Sequence, residues 1–266
     1  MKNIIDAWTG RLGNNIFQLL RCIHFSLNVV PGSKISSIEF PTHRLLIGNV
    51  VRLSYIEKDD DRCFKKGSFF SSEHDPSLYE FKLMYQKYLS PLVKIKLDDA
   101  SALEDDDVLY IHIRGGDIFS SHPHAMYLQP PVSYYANVIS KYERVVLISE
   151  DRLNPCVDKL IEEIEPEKLI QSNGNTLEAD LKILCRSRNL MIGAGTFGLL
   201  IYFMNTDLRR LYVPEYSLDH LPKGRWTGGP EENEDRFLHS LKMPYGYIKN
   251  GEWKNTPYQR EIMVNF

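Results

Sequence analysis

Three short runs in this 266-residue chain combine residue types that bind and polarise phosphate. The first is Gly10-Arg11-Leu12-Gly13-Asn14-Asn15. Its two glycines permit a sharp turn and close approach of a ligand to the backbone. A helix starting there offers unpaired N–H groups as an anion seat, and Asn14 is a candidate cap. The run lacks the spacing and the lysine of a Walker loop, and a plain capped turn also accounts for it. The second is His112-Ile113-Arg114-Gly115-Gly116-Asp117. His112 and Arg114 alternate along a strand and so share a face. A guanidinium at a strand end can grip a diphosphate with paired hydrogen bonds; an internal ion pair from Arg114 to Asp117 is the competing reading. The third is Ile192-Gly193-Ala194-Gly195-Thr196-Phe197-Gly198, where small residues precede a helix. Its backbone N–H groups and the Thr196 hydroxyl make either a second phosphate seat or a tight strand–helix junction.

Other residues stand near these runs. Asp180 precedes the third run by about one helix and could read the edge of a base, although an exposed helical Asp is the commoner case. His122-Pro123-His124 follows the Arg114 loop and could line an acceptor site, or simply be surface. No second ligand stands at metal spacing from His112, so no metal is expected there. The four cysteines, Cys22, Cys63, Cys156 and Cys185, form no CxxC and are expected as free buried thiols.

The second half of the chain has a clear rhythm of elements to position these residues. Apolar strands are expected at Val108–Ile113, Arg144–Ser149, Lys168–Gln171, Asn189–Ala194 and Arg210–Pro214. Helices are expected between them at Pro131–Tyr142, at Asn154–Ile164 with Pro155 in the first turn, from an Asn175 cap paired with Glu178 to Ser187, and at Thr196–Asn205. Continuous apolar strands alternating with helices predict a parallel, doubly wound, Rossmann-like sheet that binds ligands at its carboxyl ends. The residues following the strands are Arg114 and Asp117, Glu150 and Asp151, and Gly195 to Phe197. In the first half the pattern predicts a strand at Lys2–Ala7 and a helix from Asn14 to Val29, with Ile16, Leu19, Leu20, Ile23 and Leu27 at helical spacing. Strands at Ile35–Phe40 and Val50–Ile56 and a helix at Leu78–Leu89 follow. Asp98–Asp107 holds six acidic residues in ten and reads as a solvated linker. The domains expected are therefore 1–104 and 105–266, with the tail from Gly224 onward a candidate to cross back.

Composition narrows the classes. Lys plus Arg number 32 against 35 Asp plus Glu, for a net charge of -3. That balance argues against a nucleic-acid binder, which needs a basic footprint. The start has no long apolar run behind its lysine, and the apolar Gly198–Met204 stretch is too short to span a membrane. The expectation is a soluble, cytoplasmic protein.

Taken in order, the three runs resemble the motifs of the fucosyltransferase superfamily, the alpha-1,2-, alpha-1,6- and protein O-fucosyltransferases. The family's first motif is similar to GRLGNN at 10–15. Its central H-x-R-x-x-D resembles HIRGGD at 112–117, and its later small-Thr-Phe motif, preceded by an Asp, resembles Gly195-Thr196-Phe197 with Asp180. The stretch LQPPVSYY at 128–135 has the same look. The resemblance implies an α/β, GT-B-like fold: two Rossmann-like domains, an interdomain active-site cleft, and the nucleotide on the second. It implies inverting transfer of a sugar, usually fucose from GDP-fucose, to a glycan acceptor, with no metal and no cofactor beyond the nucleotide sugar. By position, Arg114 would hold the β-phosphate, Thr196 and Phe197 would seat phosphates, and Asp180 would read the base. Arg11 and Asn14 would reach toward the diphosphate and sugar, with Gly10, Gly13, His112 and Gly195 lining the donor. Asp117, Glu150 and His124 are candidate bases. Two departures concern the donor: the family often has Ser where Gly195 stands, and a second Arg where Gly115 stands. Rival readings are another donor such as rhamnose or xylose, a metal-dependent GT-A transferase using Asp59-Asp60-Asp61, and a non-catalytic nucleotide- or sugar-binding module.

Overall fold

The computed structural model describes residues 2–29, 34–37, 50–51, 63–69, 76–93, 106–173, 176–218 and 238–266. The described residues form two compact units. One holds 2–93 and 199–204; the other holds 106–198, 205–218 and 238–266. Asp59-Asp60-Asp61, most of the expected Val50–Ile56 strand and the end of Ile35–Phe40 lie outside the described residues.

In the first unit a four-stranded sheet runs in the order β3 (Val50–Val51), β2 (Lys34–Ser37), β1 (Lys2–Ile5), β4 (Cys63–Gly67). β1 is parallel to both neighbours, and β2 and β3 are antiparallel. Helix α1 (Leu12–Asn28) buries Ile16, Leu19, Leu20 and Ile23 of the stripe its spacing predicts, together with Leu12, while Leu27 is only partly buried. Phe17 on that helix meets Phe81 at 5.3 Å and Phe203 at 5.2 Å between ring centroids. Helix α2 (Leu78–Met84) starts in a full capping box. Ser77 Oγ accepts from the Glu80 N–H, and the Glu80 carboxylate accepts from the Ser77 N–H at 2.7 Å. The helix expected over Leu78–Leu89 changes pitch after Met84, because Tyr85–Leu89 winds as a π segment.

The second unit is a six-stranded sheet, parallel throughout. Its strands are β5 (Val108–Ile113), β6 (Arg144–Ser149), β7 (Leu169–Asn173), β8 (Asn189–Ile192), β9 (Arg210–Pro214) and β10 (Leu238–Leu241). They lie in the order β7-β6-β5-β8-β9-β10. Counted along the chain this is third, second, first, fourth, fifth, sixth, so the order reverses between β5 and β8. That junction is the topological switch point where doubly wound sheets take ligands. Its helices are α3 (Val132–Ile139), α4 (Pro155–Glu163), α5 (Leu177–Leu184), the start of α6 (Thr196–Met204), whose residues from Leu199 belong to the first unit, and α7 (Pro257–Asn265). Asn154 caps α4 through its Oδ1, which accepts from the Cys156 N–H at 3.0 Å, with Pro155 in the first position.

Five expectations need correction here. The α5 cap is Thr176, whose hydroxyl accepts from the Ala179 N–H, one residue later than the expected Asn175. That helix ends at Leu184, and α3 covers only the middle of Pro131–Tyr142. Asp106, expected in a solvated linker, is tied down: it pairs with Arg188 at 3.3 Å and with Arg209. Asn189 donates to the carbonyls of Asp106 and Val108, at 2.8 and 3.0 Å, and accepts from Arg210. These bonds lock the amino ends of β5, β8 and β9 together. Finally, the tail carries two elements that its composition hides, β10 and α7. In the second unit α7 packs on α3 and α4, and the Ser133 N–H donates to the Phe266 carbonyl.

Candidate functional site

Arg114 follows β5 directly, at the carboxyl end of the sheet and beside the switch point. Its Nη2 lies 3.3 and 3.4 Å from the two carboxylate oxygens of Asp117, so the ion pair expected as the competing reading does form. The pair is half exposed on the Asp117 side and contributes little stability. The guanidinium carbon also stands 4.2 Å from the centroid of the Tyr127 ring. On another side lies Gly195, at a φ of +123° that L side chains rarely adopt. A Cβ there would sit 2.7 Å from Arg114 Nη1. The second and third sequence runs are thus brought together, with Arg114 lying against the bare backbone of Gly195.

The turn carrying Arg114 is held from β6. The Asp151 carboxylate accepts from the Gly116 N–H at 2.8 Å and from the Leu153 N–H at 2.9 Å. Asn154 donates to the Arg114 carbonyl at 3.0 Å. A Cβ on Gly115 would stand 2.2 Å from Asp151 Oδ1. The Asp151 carboxylate occupies the space that a side chain at position 115 would need. Sequence reasoning placed Asp151 after a strand but gave it no task, since its partner lies 35 residues away.

His112 is partly buried, with its ring 4.8 Å from that of Phe197. Burial, and then the Arg114 charge, push its pKa down to about 4 from the ordinary 6.5. It is a neutral imidazole at pH 7 and brings no positive charge to the site. Thr196 and Phe197 open α6, with Thr196 in its first turn. Asp180 sits in the first turn of α5 and is buried, against the expectation of an exposed helical carboxylate. The candidate bases differ in setting. Asp117 is paired with Arg114, Glu150 is exposed after β6, and His124 is exposed with its ring tilted against that of Tyr127 at 5.1 Å.

In the first unit the GRLGNN turn follows β1. Gly10 has φ +70°, and the Asn14 side chain fills the space where its Cβ would stand, with Nδ2 2.2 Å from that point. Arg11, not Asn14, holds the cap position of α1, and it gives no side-chain cap bond. Gly13 is buried within the first turn. Gln18 fixes the approach to the turn: it accepts from the Thr9 N–H and donates to the Ala7 and Ser68 carbonyls.

Cys22, Cys156 and Cys185 are free and buried, and burial raises all three thiols, Cys22 to about 12. They are not nucleophiles at neutral pH. The Cys63 side chain lies outside the described residues. Among the described residues no group of three His, Cys, Asp or Glu side chains could hold a metal, and no helix is long and apolar enough to cross a membrane.

Fold and site together define a parallel α/β unit with a guanidinium and a small-residue helix start at the switch point. No family model matches the chain, and no curated protein is significantly similar to it. Among solved structures it is similar to E. coli ADP-heptose LPS heptosyltransferase II, at 13% identity and a TM-score of 0.34, over 59% of this chain and 45% of that one. It is also similar to E. coli heptosyltransferase WaaC with ADP, at 10% identity and a TM-score of 0.45 over 96% of each chain. The same enzyme with ADP-2-deoxy-2-fluoro heptose gives 10% identity and 0.45 over 98% of each. At such values the functional reading rests on this chain's own residues.

Proposed function

We propose that the chain is an inverting, metal-independent glycosyltransferase of GT-B type, moving a sugar from a nucleoside diphosphate to a glycan hydroxyl. Fucose on GDP is the first donor to test. The observation that supports this reading is the Arg114 guanidinium lying against Gly195, next to the start of α6 and at the carboxyl end of β5.

The chemistry follows from charge. The acceptor oxygen forms a bond to the anomeric carbon as the bond from that carbon to the β-phosphate oxygen breaks. The electron pair leaves with the diphosphate, and the acceptor proton passes to a base, for which Asp117, Glu150 and His124 are the candidates. Negative charge grows on the departing oxygen, and a fixed cation aimed at it stabilises the transition state more than the ground state. In this reading Arg114 supplies that charge, Thr196 and Phe197 seat the phosphates at the helix start, and Asp180 reads the base. Gly10, Gly13, Arg11 and Asn14 are the first unit's candidates for binding phosphate or sugar, and His112 stays neutral against Phe197.

The test is release of nucleoside diphosphate from a panel of GDP-, UDP-, ADP- and dTDP-sugars, with glycan acceptors and with chelator. Release from GDP-fucose that chelator leaves unchanged supports the reading. Release from another donor alone moves the donor assignment, and loss of release with chelator favours the GT-A alternative. Binding without release marks a non-catalytic module.

A further inference from the structure

We infer that Tyr127 is a positioning residue for Arg114, an inference that rests on the reading that Arg114 takes a diphosphate. The Tyr127 ring centroid is 4.2 Å from the guanidinium carbon, while a Cβ on Gly195 would reach within 2.7 Å of Nη1. The guanidinium is therefore bounded by an aromatic face and by backbone from which the side chain is missing. A guanidinium has two flat faces that can stack and a rim of N–H donors in its plane. Stacking uses a face and leaves the rim for a carboxylate or a phosphate, and Nη2 now points that rim at Asp117.

The ring is itself held. The Tyr127 N–H donates to the His124 carbonyl at 2.9 Å, and its carbonyl accepts from Gln129 Nε2 at 3.1 Å. Two buried tyrosines fasten the next residues: Tyr216 donates to the Leu128 carbonyl at 2.8 Å, and Tyr247 to the Gln129 carbonyl at 2.7 Å. The tail also ties the start of the same loop, through Trp253 Nε1 to the Ile118 carbonyl and Asn255 Nδ2 to the Phe119 carbonyl. A loop fastened at both ends carries a ring that fixes the direction of one arginine. Without the ring the guanidinium keeps only its Asp117 pair and the Gly195 backbone to direct it, and less of its population faces a diphosphate.

Two readouts on the intact chain test this, with Tyr127→Phe and Tyr127→Ala compared after both show wild-type melting behaviour. The first is the Arg114 Nε–Hε resonance, assigned by its loss in Arg114→Lys. Ring current displaces it upfield in the wild type and in Tyr127→Phe, and Tyr127→Ala returns it to the ordinary position. The second is calorimetric titration with GDP. Tyr127→Phe binds like the wild type and Tyr127→Ala about fivefold more weakly, the size of a partly exposed cation–π contact. An unmoved resonance in Tyr127→Ala overturns the inference, as does unchanged affinity. Equal loss in Tyr127→Phe and Tyr127→Ala also overturns it, because the ring would then not be the cause. Failure of the wild type to bind GDP, ADP or UDP sinks the functional reading instead, and the resonance still decides whether the stack exists.

Discussion

Replacing Gly115 by alanine asks whether Asp151 shapes the Arg114 turn. Gly115 has φ −121°, outside the left-handed region, so the obstacle is space and not backbone conformation. The new Cβ would stand 2.2 Å from Asp151 Oδ1 and 2.8 Å from its Cγ, closer than the 3.0 Å below which real Cβ atoms essentially never come. The carboxylate has to retreat and give up its bonds to the Gly116 and Leu153 N–H groups. A hydrogen bond to a charged group contributes about 1.5 kcal/mol, and less where water reaches it, as at Leu153. The loss is then about 2 kcal/mol, a fall of about 4–8 °C in melting temperature for a chain of this size. Asp151→Ala loses the same two bonds and should fall by a similar amount. The assay is a double-mutant cycle by thermal or urea denaturation. Once Asp151 is alanine, adding Gly115→Ala should cost no more than a few tenths of a kcal/mol. A Gly115→Ala protein that melts like the wild type, or one that loses equally in both backgrounds, would refute the reasoning.

Other outcomes follow from the same geometry. Asp117→Asn removes a carboxylate that shares Nη2 of Arg114, so nucleoside diphosphate should bind about threefold to fivefold more tightly by titration; weaker binding would mean that Asp117 aims the arginine. Gly195→Ser forces a side chain onto φ +123° and against Nη1, so both melting temperature and diphosphate affinity should fall. His112 stays neutral in the folded chain down to about pH 4, whereas the unfolded chain protonates it from 6.5 downward. Its contribution is intact above pH 6.5 and is lost as pH falls toward 4, so the wild type should lose about 1 to 2 kcal/mol more than His112→Asn between pH 7 and 5 in urea titrations.

The parallel sheet was legible because its strands are buried on both faces. Val108–Ile113, Arg144–Ser149 and Arg210–Pro214 are mainly apolar runs and have the bounds expected. β10 was not legible, since Leu238–Leu241 is short and mixed in polarity and joins the sheet only as an edge. Helix α7 carried a signal that went unread. Thr256 caps it, Pro257 is its first residue and the Gln259 N–H donates to the Thr256 hydroxyl. Within the site, the approach of Arg114 to Gly195 followed from two strand ends meeting at one switch point. The parts played by Asp151 and Tyr127 did not, because each depends on contacts that no local spacing encodes. The misplaced cap at GRLGNN has a local cause: Asn14 folds over Gly10 from within the first turn of the helix that it was expected to start.

The central claim is that the Arg114 rim grips a diphosphate with paired hydrogen bonds. Titration of wild type, Arg114→Lys and Arg114→Ala with GDP, UDP and ADP tests it most directly. The account predicts that lysine, a point charge without the fork, binds nearly as poorly as alanine, each losing on the order of tenfold or more. A lysine variant that retains wild-type affinity for every nucleoside diphosphate bound by the native chain would contradict it.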